Sequence, residues 1–96
     1  MNILKKFFES SNDLRDMLPR GAFGEGVIDE AESQEDWLHK ERVWSMKITI
    51  GRKQYVAQWC VLQTAGWYPR GGDKVRFDRQ PEGVDDKYLF ASRVED

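Results

Sequence analysis

The sequence predicts a small, mainly β domain (α+β in overall class), with one amphipathic helix followed by five short strands, and three observations carry that prediction. Apolar residues recur at helical spacing near the N-terminus, they alternate with polar residues through the middle of the chain, and glycine- or proline-containing turns separate the alternating runs. A chain of 96 residues, 40% hydrophobic and with four tryptophans, has material for one core and one domain.

The helical signal covers residues 2 to 18, where Ile3, Leu4, Phe7, Phe8, Leu14, Met17 and Leu18 fall on one stripe. Asn2 suits an N-cap and Pro19 ends the pattern, so residues 1–19 are assigned to the helix and residues 20–96 to the β domain. The polar run Ser10 to Asp13 also allows two shorter helical pieces.

Residues 20 to 26, Arg-Gly-Ala-Phe-Gly-Glu-Gly, read as a glycine-rich turn, and Val27-Ile28 starts a short first strand. The acidic run from Asp29 to Asp36 reads as the end of that strand and a solvated loop. From Val43 to Ile50 the alternation is clean, with Trp44, Met46, Ile48 and Ile50 on one face. Gly51-Arg52 suits a two-residue type II′ turn into a third strand, Lys53 to Leu62.

That turn fixes a register in which Ile48 faces Tyr55, Met46 faces Ala57 and Trp44 faces Trp59, with Val61 continuing the core face. The opposite face, pairing Thr49 with Gln54, Lys47 with Val56, Ser45 with Gln58 and Val43 with Cys60, is mixed and expected to be partly wet. Lys74 to Asp78 and Tyr88 to Val94 supply the fourth and fifth strands. Five strands in about 75 residues suit a small, partly open barrel of the OB or SH3-like kind.

The stretch Gly24-Glu25-Gly26-Val27-Ile28, the long hairpin, and then Gly72-Asp73-Lys74-Val75-Arg76-Phe77-Asp78-Arg79-Gln80-Pro81 resemble a pattern in small uncharacterised bacterial OB-like β-barrel domains. Those domains open with a glycine before a valine-rich strand and close with Gly-Asp-x-Val followed by Asp and Pro. The resemblance implies the barrel and assigns no activity. Such domains are often attached to membrane helices, whereas this chain has a short amphipathic helix in that place.

No apolar run approaches the roughly 20 residues that span a bilayer, and no signal-peptide pattern opens the chain, so a cytoplasmic location without a membrane span is expected. Cys60 is the single cysteine and reads as a small core or sheet residue. His39 reads as a surface residue, and the acids Asp29, Glu30, Glu32, Glu35 and Asp36 lack the ligand order of a calcium loop. No cofactor, metal or catalytic residue is assigned on these grounds. A small metal-dependent hydrolase built on His39 and Glu35 is the reading ranked last.

Charge is segregated along the chain: −5 over residues 1–39, +6 over residues 40–79 and −3 over residues 80–96. The basic middle interleaves cations with aromatic residues, the composition of a single-strand-binding groove, but its aromatics fall largely on the core face and its acidic flanks oppose a polyanion. A non-enzymatic protein-interaction module is therefore the leading expectation, with a homodimer as one form of partner, acting through the Trp67 loop or an exposed hairpin face. A single-stranded nucleic-acid binder is the alternative. The residues nominated for either role are Arg52, Lys53, Trp67, Tyr68, Arg70, Lys74 and Arg76, with Trp67 and Tyr68 expected to be exposed.

Overall fold

The structure is a computed structural model that describes residues 13–38, 40–81 and 87–95. The described elements are α1 (Asp13–Met17), β1 (Phe23–Leu38), β2 (Glu41–Ile50), β3 (Lys53–Leu62), β4 (Lys74–Arg79) and β5 (Leu89–Arg93). The strands close into a barrel in the order β1-β2-β3-β5-β4, with β4 returning to β1. It is closed rather than partly open, because β1 is long enough to pair with both β2 and β4. The β3–β5 pair is parallel and the other four are antiparallel, which is a Greek-key path and matches the OB arrangement. Among the described residues no helix is long and apolar enough to cross a membrane.

The helical expectation for residues 2 to 12 lies outside the described residues. Leu14 of α1 and Leu18 just after it are buried in the barrel core, so this helix is a plug and not a separate unit. Arg79 fixes it by donating from its guanidinium to the Arg15 and Leu18 carbonyls at 2.9 and 2.7 Å, two acceptors left over at a helix end.

β1 begins four residues earlier and ends ten residues later than the sequence indicates. Gly24 and Gly26 lie inside it, because the strand must curl from one partner to the other: Val27 pairs with Thr49 of β2 and with Lys74 of β4. A Cβ at Gly26 would stand 2.6 Å from Ile48 Cγ2 and 2.8 Å from the Thr49 carbonyl oxygen, so no larger residue fits. The acidic run is strand as well. Glu30, Glu32 and Glu35 are exposed, while Ile28 and Ala31 point to the core.

The β2–β3 turn is as expected, with Gly51 at φ 65° and strict pairing from Ile50–Lys53 to Met46–Ala57. Beyond that point the expected register is wrong. Gln58 and Trp59 together oppose Ser45, so Trp44 faces Cys60, not Trp59. This is a β-bulge, and Trp59 makes it by adopting φ 58°, a left-handed conformation rare for a bulky residue.

The bulge turns Trp59 outward and gives the inner wall to Cys60 and Leu62. Outside, Trp59 packs edge-on to Tyr88 at 6.3 Å, with the Lys87 ammonium 4.2 Å above its ring. Val43, Val61 and Tyr88 are buried there beside Leu38 and Phe90. Ser45, Val56 and Gln58 are buried too, so much of the hairpin face expected to be partly wet is covered, while Lys47 and Thr49 are half-buried and Gln54 is exposed.

Candidate functional site

The two ends of β2 lead to different surfaces. Near Ile50 the barrel is stopped by α1; near Trp44 it is stopped by the segment from Gln63 to Asp73, which carries no regular structure. This loop is pinned along its length. Gln63 N–H donates to the Ala91 carbonyl at 2.8 Å, Gly72 N–H to the Ile28 carbonyl at 2.7 Å, and Thr64 Oγ1 accepts from the Arg93 amide at 3.0 Å.

Trp67 is the loop's anchor and, at 7% exposure, belongs to the barrel core. Its expected exposure is thus corrected, for a physical reason. A loop that caps a barrel has to fill the opening, and the indole fills it while its Nε1–H donates to Asp73 Oδ2 at 3.1 Å. The same carboxylate oxygen accepts from the Arg70 amide at 3.1 Å, so Asp73 holds both the ring and the turn.

With Trp67 pointing in, Tyr68 is forced out and is 73% exposed. Its ring stands edge-on to Trp44, 6.5 Å between centroids. Across the opening, Trp37 near the end of β1 is 56% exposed and lies 5.0 Å beneath the Arg42 guanidinium, its cross-strand neighbour. Arg42 also donates to Ser33 Oγ at 2.9 Å, which fixes the stacked geometry. These side chains, with Lys40, Glu41 and Leu62, surround a concavity of about 560 Å³.

A second hollow of about 320 Å³ adjoins it across Gly66, Trp67 and Tyr68, and is lined further by Arg70, Asp73 and Arg93. Lys74 and Arg93 meet in a third hollow next to Asp73. Of the seven residues nominated from sequence, Trp67, Tyr68, Arg70 and Lys74 therefore gather at this mouth. Arg52 and Lys53 sit at the β2–β3 turn, toward the other end of β2, with Lys53 Nζ 5.3 Å from the Tyr55 ring. Arg76 is also elsewhere on the barrel, 3.7 Å over the Phe23 ring and 3.3 Å from Asp78 Oδ1.

Sequence reasoning missed Trp37, Lys40, Arg42, Trp44 and Arg93 as members of the site. A tryptophan stranded in an acidic, hydrophilic run was the available signal for Trp37. Trp44 was assigned wholly to the core, yet it is half-buried and has its outer edge in the mouth.

Chemistry that needs a nucleophile or metal finds little support among the described residues. Burial pushes the Cys60 thiol far up, away from the thiolate form. No grouping of three or more His, Cys, Asp or Glu suited to a metal occurs among them, Glu35 is exposed, and His39 lies outside them. The Asp29 carboxyl, at a bulge in β1 between the Ile28 and Glu30 pairings with β2, is held below its ordinary range, chiefly by hydrogen bonds from Thr49 Oγ1 at 2.6 Å and Gln54 Nε2 at 3.0 Å. That cluster stitches the β1 bulge to the hairpin.

No protein-family model, no curated protein and no solved structure matches the chain. Function is therefore argued from the mouth itself.

Proposed function

We propose that the protein is a non-enzymatic interaction module that binds another protein through the mouth formed by Trp37, Arg42, Trp44 and Tyr68. The observation that carries this reading is the presence of two largely exposed aromatic side chains, Trp37 and Tyr68, on a rigid concave rim. Trp, Tyr and Arg are the residue types that dominate binding energy at protein interfaces, and here they ring a hollow and are not scattered.

The test is comparative capture with the whole chain as bait. A partner retained by the wild type and by Arg52→Ala, but lost with Trp37→Ala and with Tyr68→Ala, supports the reading. A partner held equally by all four removes it. Light scattering on the same proteins identifies a second copy of the chain as the partner if a dimer dissociates in the two mouth variants.

A second reading, single-stranded nucleic acid, is favoured by the cations Arg70 and Arg93 next to Tyr68. Titration with oligothymidine at low and raised salt decides it: steep salt dependence supports nucleic acid, and no binding at low salt rejects it.

A further inference from the structure

Several cations on the body of the barrel are engaged internally. Lys47 pairs with Glu30 at 3.2 Å, Arg76 with Asp78, Arg79 with the carbonyls of α1, and Lys87 with the Trp59 ring. Four cations around the mouth are engaged less. Among the described residues Lys40, Arg70 and Arg93 make no side-chain ion pair, and Arg42 meets only the neutral Ser33 hydroxyl and the Trp37 face. Of the three acids lining these hollows, Asp73 is engaged by the Trp67 indole and the Arg70 amide, which leaves Glu41 in the first hollow and Glu95 in the third.

We infer that the mouth takes an acidic, extended polypeptide segment, whose carboxylates meet Lys40, Arg42, Arg70 and Arg93 while apolar side chains rest on Trp44 and Tyr68. This rests on the protein-binding reading above and narrows it to a chemical class. The cations stand on three different elements with aromatic surface between them: Lys40 and Arg42 at the start of β2, Arg70 on the loop, Arg93 at the end of β5. An extended peptide, with side chains alternating every residue at about 3.3 Å rise, can supply charge and apolar contact in turn.

A polynucleotide cannot choose its charge positions in this way. It carries a phosphate at every nucleotide, and Glu41 in the mouth with Glu32 and Glu35 exposed along β1 repels so dense a charge. Charge complementarity thus favours a sparse polyanion with apolar side chains over a dense one.

The experiment uses three fluorescein-labelled probes read by anisotropy at low salt: a decapeptide of alternating Glu and Phe, the same peptide with Lys for Glu, and a twelve-nucleotide oligothymidine. The glutamate peptide is expected to bind. Its affinity should fall about tenfold or more in the Arg70→Glu/Arg93→Glu double variant and in Tyr68→Ala, and stay within about twofold in Arg52→Glu, a remote cation of the same charge. Thermal unfolding of each variant confirms that the barrel is intact.

Equal binding of the lysine peptide, tighter binding of the oligothymidine, an unmoved double variant, or no binding of the glutamate peptide each overturns the inference. Any of these results leaves the protein-binding reading to be judged by the capture experiment, so the two failures are distinguishable.

Discussion

The two ends of the barrel solve one problem in opposite ways. At the Ile50 end the stopper is aliphatic, Leu14 of α1 and Leu18 just after it, and the nearest strong cation, Arg79, is turned inward to hold it. At the Trp44 end the stopper is one aromatic on a loop, held by one carboxylate, and the neighbouring aromatics and cations face outward. Both ends keep exposed apolar side chains, Met17 and Phe23 beside α1 and Trp37 and Tyr68 at the loop, but only at the loop do they ring a hollow together with cations. The loop closure is where a rigid fold can acquire a partner.

Removing either stopper breaks the barrel, and these are the largest effects expected. Trp67→Ala should cost about 3–5 kcal/mol and Leu14→Ala about 2–5 kcal/mol in chemical denaturation, because both delete buried mass at a site the surroundings cannot fully refill. Comparable losses support equivalent stoppers; a Trp67→Ala protein as stable as the wild type would show that the loop is not a stopper at all.

The clamps come next. Arg79→Ala removes two hydrogen bonds to α1 carbonyls, and Asp73→Ala removes two to the loop, each expected to cost about 1–3 kcal/mol. The comparison sharpens if only Asp73→Ala also weakens partner capture, since its loop alone carries Tyr68.

How much of this was legible in the sequence varies from strand to strand. The hairpin register from Ile50 to Ala57 followed from one glycine, since a two-residue turn leaves no freedom. The bulge at Gln58-Trp59 did not follow, because the left-handed backbone that makes it is usually marked by Gly or Asn and here belongs to a tryptophan. β1 was truncated in the reading for a related reason: its inward residue in the acidic stretch is the small Ala31, too faint to show a strand period beneath Glu30 and Glu32. The site was half legible. Tyr68, Arg70 and Lys74 were visible as an aromatic and basic loop, but the partner that buries Trp67 lies six residues on, and Trp37 and Trp44 join the mouth only through barrel closure.

Smaller effects concern groups that neither end uses. Cys60 is fully buried, so a thiol reagent should modify it only at the rate of global opening, and labelling should accelerate in step with the instability of Trp67→Ala. Asp29 gives the weakest signal, because it lies near the surface. Its folded pKa is lowered, so its stabilising contribution is complete above the ordinary aspartate value of about 3.9 and is lost as pH falls through the folded value. Asp29→Asn should lose that small increment at neutral pH and flatten the acid limb to the same extent.

The central claim is that binding occurs at the mouth and not at the outer aromatic cluster. The four tryptophan indole N–H signals in a two-dimensional NMR spectrum report on both places at once: Trp37 and Trp44 on the mouth, Trp67 on the stopper, Trp59 on the outer cluster. On addition of the captured partner, the Trp37 and Trp44 signals should move while Trp59 stays fixed. A moving Trp59 with Trp37 and Trp44 unchanged would contradict the account.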